Sequence, residues 1–223
     1  MTTRAFTAVC FDMDGVLIQS RSVIERAWTS VAHQYGISVD KAFIDEHIHG
    51  RPGAYTLDVL FADIDPAQRH HIKQQVDAIE EVSECAMVPG VAHLIKQLRD
   101  HNLPMALVTS SWPARIAHVL RQHQLEAVFD CIITRDDVIY GKPAPDAYVL
   151  AAQQLHRSPT ECLVFEDSVS GVQAAVGSGA LCVGIGHDPF LTDYGASTLF
   201  PDFEAIQFCW NEINQAASLV DES

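Results

Sequence analysis

The sequence predicts an α/β protein: a Rossmann-like parallel sheet with helices on both faces, interrupted once by an inserted all-helical block. Three observations predict it. From about residue 88 onward, short apolar runs alternate with helical patterns, as they do where helices form the crossovers of a parallel sheet. A further apolar run, Thr7 to Met13, stands near the N-terminus and lacks helical periodicity. Between about residues 20 and 87 only helical patterns occur. The α/β core is therefore assigned to 1–19 and 88–223, and the helical domain to 20–87.

Taken in order, Thr7 to Met13 reads as a buried strand ending in an acidic pair. Val23, Ala27, Trp28, Val31, Ala32 and Tyr35 then recur at helical spacing, and Gly36 is a plausible C-terminal stop. Helical segments follow at about 39–48, 53–62 and 66–84, the last begun by Asp65-Pro66, with proline in the first turn. After Pro89 and Gly90 the pattern predicts a helix to about His101 and a strand over Pro104 to Val108. Pro113 to Gln124 is helix, Phe129 to Thr134 strand, and Asp146 to His156 helix. Cys162 to Phe165 is strand, Ser168 to Ser178 helix, and Leu181 to Gly186 strand, with a last helix expected after Pro201.

A chain of 223 residues, 48% hydrophobic and 19% charged, is long enough for one substantial core and a smaller insertion. The formal net charge of −15 argues against nucleic acid or an anionic membrane as partner, because both need clustered lysine and arginine. The six cysteines show no Cys-x-x-Cys pairing and read as buried free thiols. No signal-peptide pattern opens the chain, and no apolar stretch reaches the length of a membrane span. The expectation is a cytoplasmic protein, monomeric or weakly dimeric.

Four short segments carry the chemistry. Asp12 and Asp14 leave the first strand two residues apart and meet Gly15. Alone, such a pair also fits an Asx-type turn. Asp12 is placed to attack phosphorus and form an aspartyl-phosphate; Asp14 is placed to protonate the leaving oxygen and then deprotonate water. Glu166 and Asp167 end another apolar strand, although Asp167 or Ser168 also suits a helix N-cap. Carboxylates about 5 Å apart at an effective dielectric near 20 repel by roughly 3 kcal/mol, so a group at neighbouring strand ends calls for a cation. Hard oxygen ligands favour Mg²⁺. Thr109 and Ser110 sit where a strand gives way to a helix, suited to holding phosphate oxygens or to capping. Lys142, between Gly141 and Pro143, is either a solvated loop lysine or the positive group that neutralises phosphate. It is expected to lower the pKa of Asp12.

Competing motifs are missing. There is no Gly-x-x-x-x-Gly-Lys-[Ser/Thr] and no strand-linked Gly-x-Gly-x-x-Gly, and His47-x-His49 lacks partners at metal spacing. In order and strand context the four segments resemble the motifs of the haloacid dehalogenase superfamily across nearly the whole chain. These are Asp12-Met13-Asp14-Gly15-Val16-Leu17, Thr109, Lys142 in Gly-Lys-Pro-Ala-Pro-Asp, and Glu166-Asp167-Ser168. The helical insertion resembles the cap of the β-phosphoglucomutase-like branch. The segments around His49-Gly50-Arg51, Thr109-Ser110-Ser111 and Pro143 to Tyr148 are most similar to sugar phosphatases and glycerol-3-phosphatase-like enzymes.

The resemblance implies a Mg²⁺-dependent phosphatase acting on a small sugar or polyol phosphate. It implies Asp12 as nucleophile, Asp14 as acid/base, and Thr109 and Lys142 as phosphate binders; Ser110 remains a substrate-binding candidate from its place at the strand end. The metal would be held by the Asp12 carboxylate, the Asp14 backbone carbonyl and Asp167, with Glu166 acting directly or through water. Hinges are implied near Gln19–Arg21 and Met87–Pro89. Arg51 is a candidate to reach the substrate from the cap or else a solvated arginine, and His49 and Glu25 are weaker candidates. The mutase of this branch keeps a histidine where this chain has Ile24, so a phosphosugar mutase is the runner-up. A non-catalytic metabolite-binding member of the fold ranks below both.

Overall fold

The computed structural model describes residues 5–211 and 216–221. Its main sheet has six parallel strands: β1 Ala8–Phe11, β2 Met105–Val108, β3 Cys131–Ile133, β4 Cys162–Glu166, β5 Leu181–Ile185 and β6 Leu199–Phe200. Their order is β3-β2-β1-β4-β5-β6. The chain therefore builds outward from β1 in one direction and then in the other, which opens a crevice at the carboxyl end of β1.

Strand alternation separates the sheet into two buried faces. Val9, Phe11, Met105, Leu107, Leu163, Phe165, Val183 and Ile185 face one cluster, which includes residues of α5 Val91–Asp100 and α6 Pro113–Gln122. Ala8, Cys10, Ala106, Val108, Cys162, Val164 and Cys182 face the other, covered by α7 Asp146–Gln154 and α8 Val169–Ser178. Both faces are buried, so the strands read as continuous apolar runs rather than alternating ones.

The segment between β1 and α5 forms four helices, α1 Arg21–Gln34, α2 Lys41–His47, α3 Gly53–Leu60 and α4 Pro66–Val82. They share their own apolar cluster, with Trp28, Val31, Phe61, Ile72 and Val76 buried at its centre. Asp40 and Asp65 cap α2 and α4 by accepting from the amides of Phe43 and Ala67. The two connecting strands of chain run side by side: Gln19 N donates to Ala86 O at 2.8 Å and Val88 N to Leu17 O at 3.1 Å. Among the described residues no helix is long and apolar enough to cross a membrane, and all six cysteines are free.

The tail corrects one expectation. After the short helix α9 Phe190–Asp193, the chain forms a hairpin, β7 Ile206–Asn211 and β8 Ala216–Asp221, in place of a last helix. The reason lies in a period-2 pattern: Ile206, Phe208 and Trp210 turn inward while Gln207, Cys209 and Asn211 are exposed. Ile206, Ala217 and Leu219 complete the first cluster, and Phe6 exchanges two backbone bonds of 2.9 Å with Ala217. Trp210 also stacks on His101, with centroids 5.1 Å apart.

Candidate active site

Sheet register brings the motifs together. Phe11 lies opposite Leu107 of β2 on one side and Phe165 of β4 on the other. Asp12, Thr109 and Glu166–Asp167 therefore emerge from three adjacent strand ends, which lie about 5 Å apart in any sheet. β1 stops at Phe11, so Asp12 stands one residue beyond it, its amide still donating to Phe165 O at 3.1 Å.

Lys142 is 6% exposed in its side chain and is buried at the centre of the site, not solvated in its loop. Its Nζ donates to Asp12 Oδ1 and Glu166 Oε1, both at 2.6 Å, and to Val108 O at 3.0 Å. Burial opposes its charge, but the two carboxylates hold its pKa above the ordinary lysine value.

Glu166 is fully buried and densely satisfied. Its Oε1 also accepts from the Tyr148 hydroxyl at 2.7 Å, and its Oε2 from Asp167 N and Ser168 Oγ at 3.1 and 3.2 Å. Gly171 makes room for it, since a Cβ there would overlap the Glu166 carboxylate. Gly15 does the same for Asp167 and adopts φ of +78°, a conformation open chiefly to glycine.

Asp12, Glu166 and Asp167 each offer one oxygen within 4.8 Å of the others. One lysine cannot neutralise three carboxylates. Burial, then the charges of Asp12 and Glu166, push the Asp167 carboxyl well above the usual range. For Asp12 the expectation of a lowered pKa is corrected: Lys142 does pull it down, but burial dominates and the carboxyl rises to about 7. A cluster of hard oxygens short of positive charge fits a divalent cation such as Mg²⁺.

Asp14 departs from this convergence. Its carboxylate turns to Arg115, whose Nη1 and Nη2 donate to Oδ2 and Oδ1 at 2.6 and 2.5 Å. Burial works the other way, but Arg115 and the hydroxyls of Ser20 and Ser111 hold the Asp14 carboxyl below its ordinary value. Its side chain is thus not among the three that converge; only its backbone carbonyl is left to serve a metal. The physical reason is that a buried guanidinium fork outcompetes a site already rich in negative charge.

The hydroxyl segment splits. Thr109 is buried and its Oγ1 accepts from Ser111 N at 3.1 Å, while Ser110 is exposed. On the helical side, Gly50 lies against Ser168, where an added Cβ would stand 3.7 Å from that of serine. The His49-Gly50-Arg51 segment therefore reaches the core loop. Arg51 itself stays on the helical side: its Nε donates to Glu46 O at 3.0 Å and its guanidinium covers Tyr55 at 5.4 Å. His49 Nε2 pairs with Glu25 Oε1 at 2.7 Å. Ile24 packs against the apolar cluster of the four helices.

Arg115 and Glu80 do not figure in the sequence reading, and Ser111 and Tyr148 figure there only as parts of matching segments, with no role of their own. Arg115 carried a signal nonetheless: a cation in the first turn of α6 opposes the helix dipole and so needs an anion. Glu80, on α4, lies with Oε2 3.9 Å from Arg115 Nε. Burial pushes its carboxyl up to about 7 from 4.5, against the pull of Arg115. The folded state thus binds an extra proton between these values, and stability present below the lower value is lost as pH rises through about 7. Glu80→Gln is expected to shrink the loss of unfolding free energy between about pH 5 and about pH 8 by about 2 kcal/mol. Denaturant titrations at the two pH values check this; an unchanged difference contradicts it.

Comparison with known proteins gives this site its context. A family model described as haloacid dehalogenase-like hydrolase matches residues 6–179. Hexitol phosphatase A of Escherichia coli (strain K12) is 33% identical over 180 residues, 78% of this chain and 81% of that protein. The β-phosphoglucomutase of Bacillus subtilis (strain 168) is 28% identical over 190 residues, 80% and 83% of the two chains. The crystal structure of a HAD hydrolase, family IA, variant 3, from Entamoeba histolytica HM-1:IMSS superposes with a TM-score of 0.79 at 25% identity, covering 90% of this chain and 95% of that one. Motif order, strand-end geometry and matches across most of the chain agree: it belongs to the haloacid dehalogenase-like hydrolase family.

Proposed function

We propose that this chain is a Mg²⁺-dependent phosphatase that hydrolyses a small sugar or polyol phosphate in the cytoplasm through a phosphorylated Asp12. The observation that carries the reading is Lys142 bonded at 2.6 Å to both Asp12 and Glu166, within a cluster of three carboxylates. The similarity to hexitol phosphatase A supports the substrate class.

In this reading the negative charge of the bound phosphate offsets the pull of Arg115 so that Asp14 takes up a proton; Asp12 attacks phosphorus as the ester P–O bond breaks, and Asp14 gives that proton to the leaving oxygen. Water then attacks the phosphorylated Asp12 and yields a proton to Asp14; the bond to Asp12 breaks and phosphate leaves. Lys142, Thr109 and the exposed Ser110 hold the phosphate oxygens. Asp12, Asp167 and the Asp14 carbonyl would hold the metal, and Glu166, whose two oxygens already accept several protein hydrogen bonds, would act on it through water. Bound Mg²⁺ supplies charge neutralisation for phosphate against the acidic cluster. Helices α1 to α4 act as a cap on the core, hinged near Gln19–Arg21 and Met87–Pro89.

Phosphate release from a panel of phosphorylated metabolites, with and without a chelator, tests the function. Release that is insensitive to chelation contradicts the metal, and silence across the panel contradicts the activity. The 28% identical mutase relative supports a second reading, phosphosugar isomerisation. Ile24 at the mutase's histidine position weighs against it. A hexose 1-phosphate separates the two: phosphate release supports hydrolysis, isomerisation without release the mutase. Arg51→Ala is expected to raise KM several-fold, by about 1 kcal/mol of binding; unchanged KM and kcat would retire Arg51 as a substrate contact.

A further inference from the structure

Arg115 has no part in the mechanism above, yet among the described residues it heads the largest fully buried side chains. Its charge sits in the first turn of α6, the unfavourable end of a helix for a cation. Its polar contacts are to Asp14, Ser111 and Glu80. Nη1 donates to Asp14 Oδ2 and to Ser111 Oγ, both at 2.6 Å, and Nη2 to Asp14 Oδ1 at 2.5 Å. The Trp112 ring lies 5.8 Å away. The third nitrogen, Nε, is buried without a hydrogen-bond partner and faces Glu80 Oε2 at 3.9 Å.

Stability alone does not explain such an arrangement, because a buried ion pair is often matched or bettered by apolar residues of the same volume. Orientation does. A guanidinium bonded through two parallel N–H groups fixes the carboxylate plane as well as its position. Ser111, two residues before α6 begins, accepts from Nη1 and itself donates to Asp14 Oδ2 at 3.4 Å, which braces the fork.

We propose that Arg115 is a positioning residue for Asp14, setting the direction in which its carboxylate meets the leaving oxygen. This rests on the phosphatase reading, in which Asp14 is the acid/base. It predicts a dependence on leaving group. An alkyl phosphate must receive a proton as its P–O bond breaks, whereas p-nitrophenolate leaves without one. A misaligned Asp14 therefore harms the first far more than the second.

The experiment compares kcat/KM in wild type, Arg115→Met and Arg115→Lys. The substrates are p-nitrophenyl phosphate and whichever of glycerol 3-phosphate and the common hexose and hexitol phosphates is turned over best. Arg115→Met is expected to lower the alkyl value about 100-fold and the aryl value less than about tenfold. Arg115→Lys keeps the charge but not the fork, and is expected to lose about tenfold on the alkyl ester with the aryl value held. If Arg115→Met does not fold, the lysine variant decides by the same ratio. Equal losses on both substrates, or no loss on either, would overturn the proposal. A wild-type protein that releases phosphate from none of these compounds would overturn the phosphatase reading instead.

Discussion

Asp12→Asn is expected to lower turnover by about 10⁴-fold or more, the scale seen when a covalent nucleophile is removed, while the protein stays folded. The substitution is nearly isosteric and keeps an oxygen for Lys142 Nζ, now 2.6 Å from Asp12 Oδ1. Because burial already raises the Asp12 carboxyl to about 7, removing its charge relieves repulsion against Glu166 and Asp167. The melting temperature is therefore expected to hold or rise. Phosphate release together with a thermal melt tests both halves; wild-type turnover in the variant would remove Asp12 as the nucleophile.

Lys142→Met is expected to act on fold and activity at once. It leaves Asp12 and the fully buried Glu166 without their shared cation. Breaking a buried ion pair by deleting one partner costs about 3–5 kcal/mol, or roughly 10 °C in melting temperature for a chain of this size. In the proposed mechanism, loss of the positive group that holds phosphate lowers kcat by about 10²–10³-fold as well. The thermal penalty is expected to be larger at about pH 8 than at about pH 5, since protonation of the stranded carboxyls relieves it. A variant as stable as wild type at both pH values would show that Tyr148 and the backbone amides satisfy Glu166 unaided.

Much of the molecule is legible along the chain because its determinants are local. The apolar runs at Ala8–Phe11 and Cys162–Glu166, the proline that opens α4 and the Gly179 that ends α8 each act within a few residues of themselves. The placement of Asp12 and Glu166–Asp167 at the ends of apolar strands was legible for a similar reason, because each strand end is marked by its own neighbours in sequence. The tail was misread because Ile206, Phe208 and Trp210, without a partner strand in view, carry too short a pattern to separate period 2 from a helical face.

By itself the sequence determined the parallel sheet, the four-helix segment between β1 and α5, and the set of acidic and hydroxyl residues at the strand ends. Only the tertiary structure decided how those charges share protons and partners. Lys142 became a buried bridge, Asp12 a carboxyl near 7 instead of a depressed one, and Asp14 the ward of Arg115, about a hundred residues away along the chain. The physical reason is that strand periodicity is written in neighbours, whereas desolvation and ion pairing depend on which distant side chains the sheet order brings within a few ångströms.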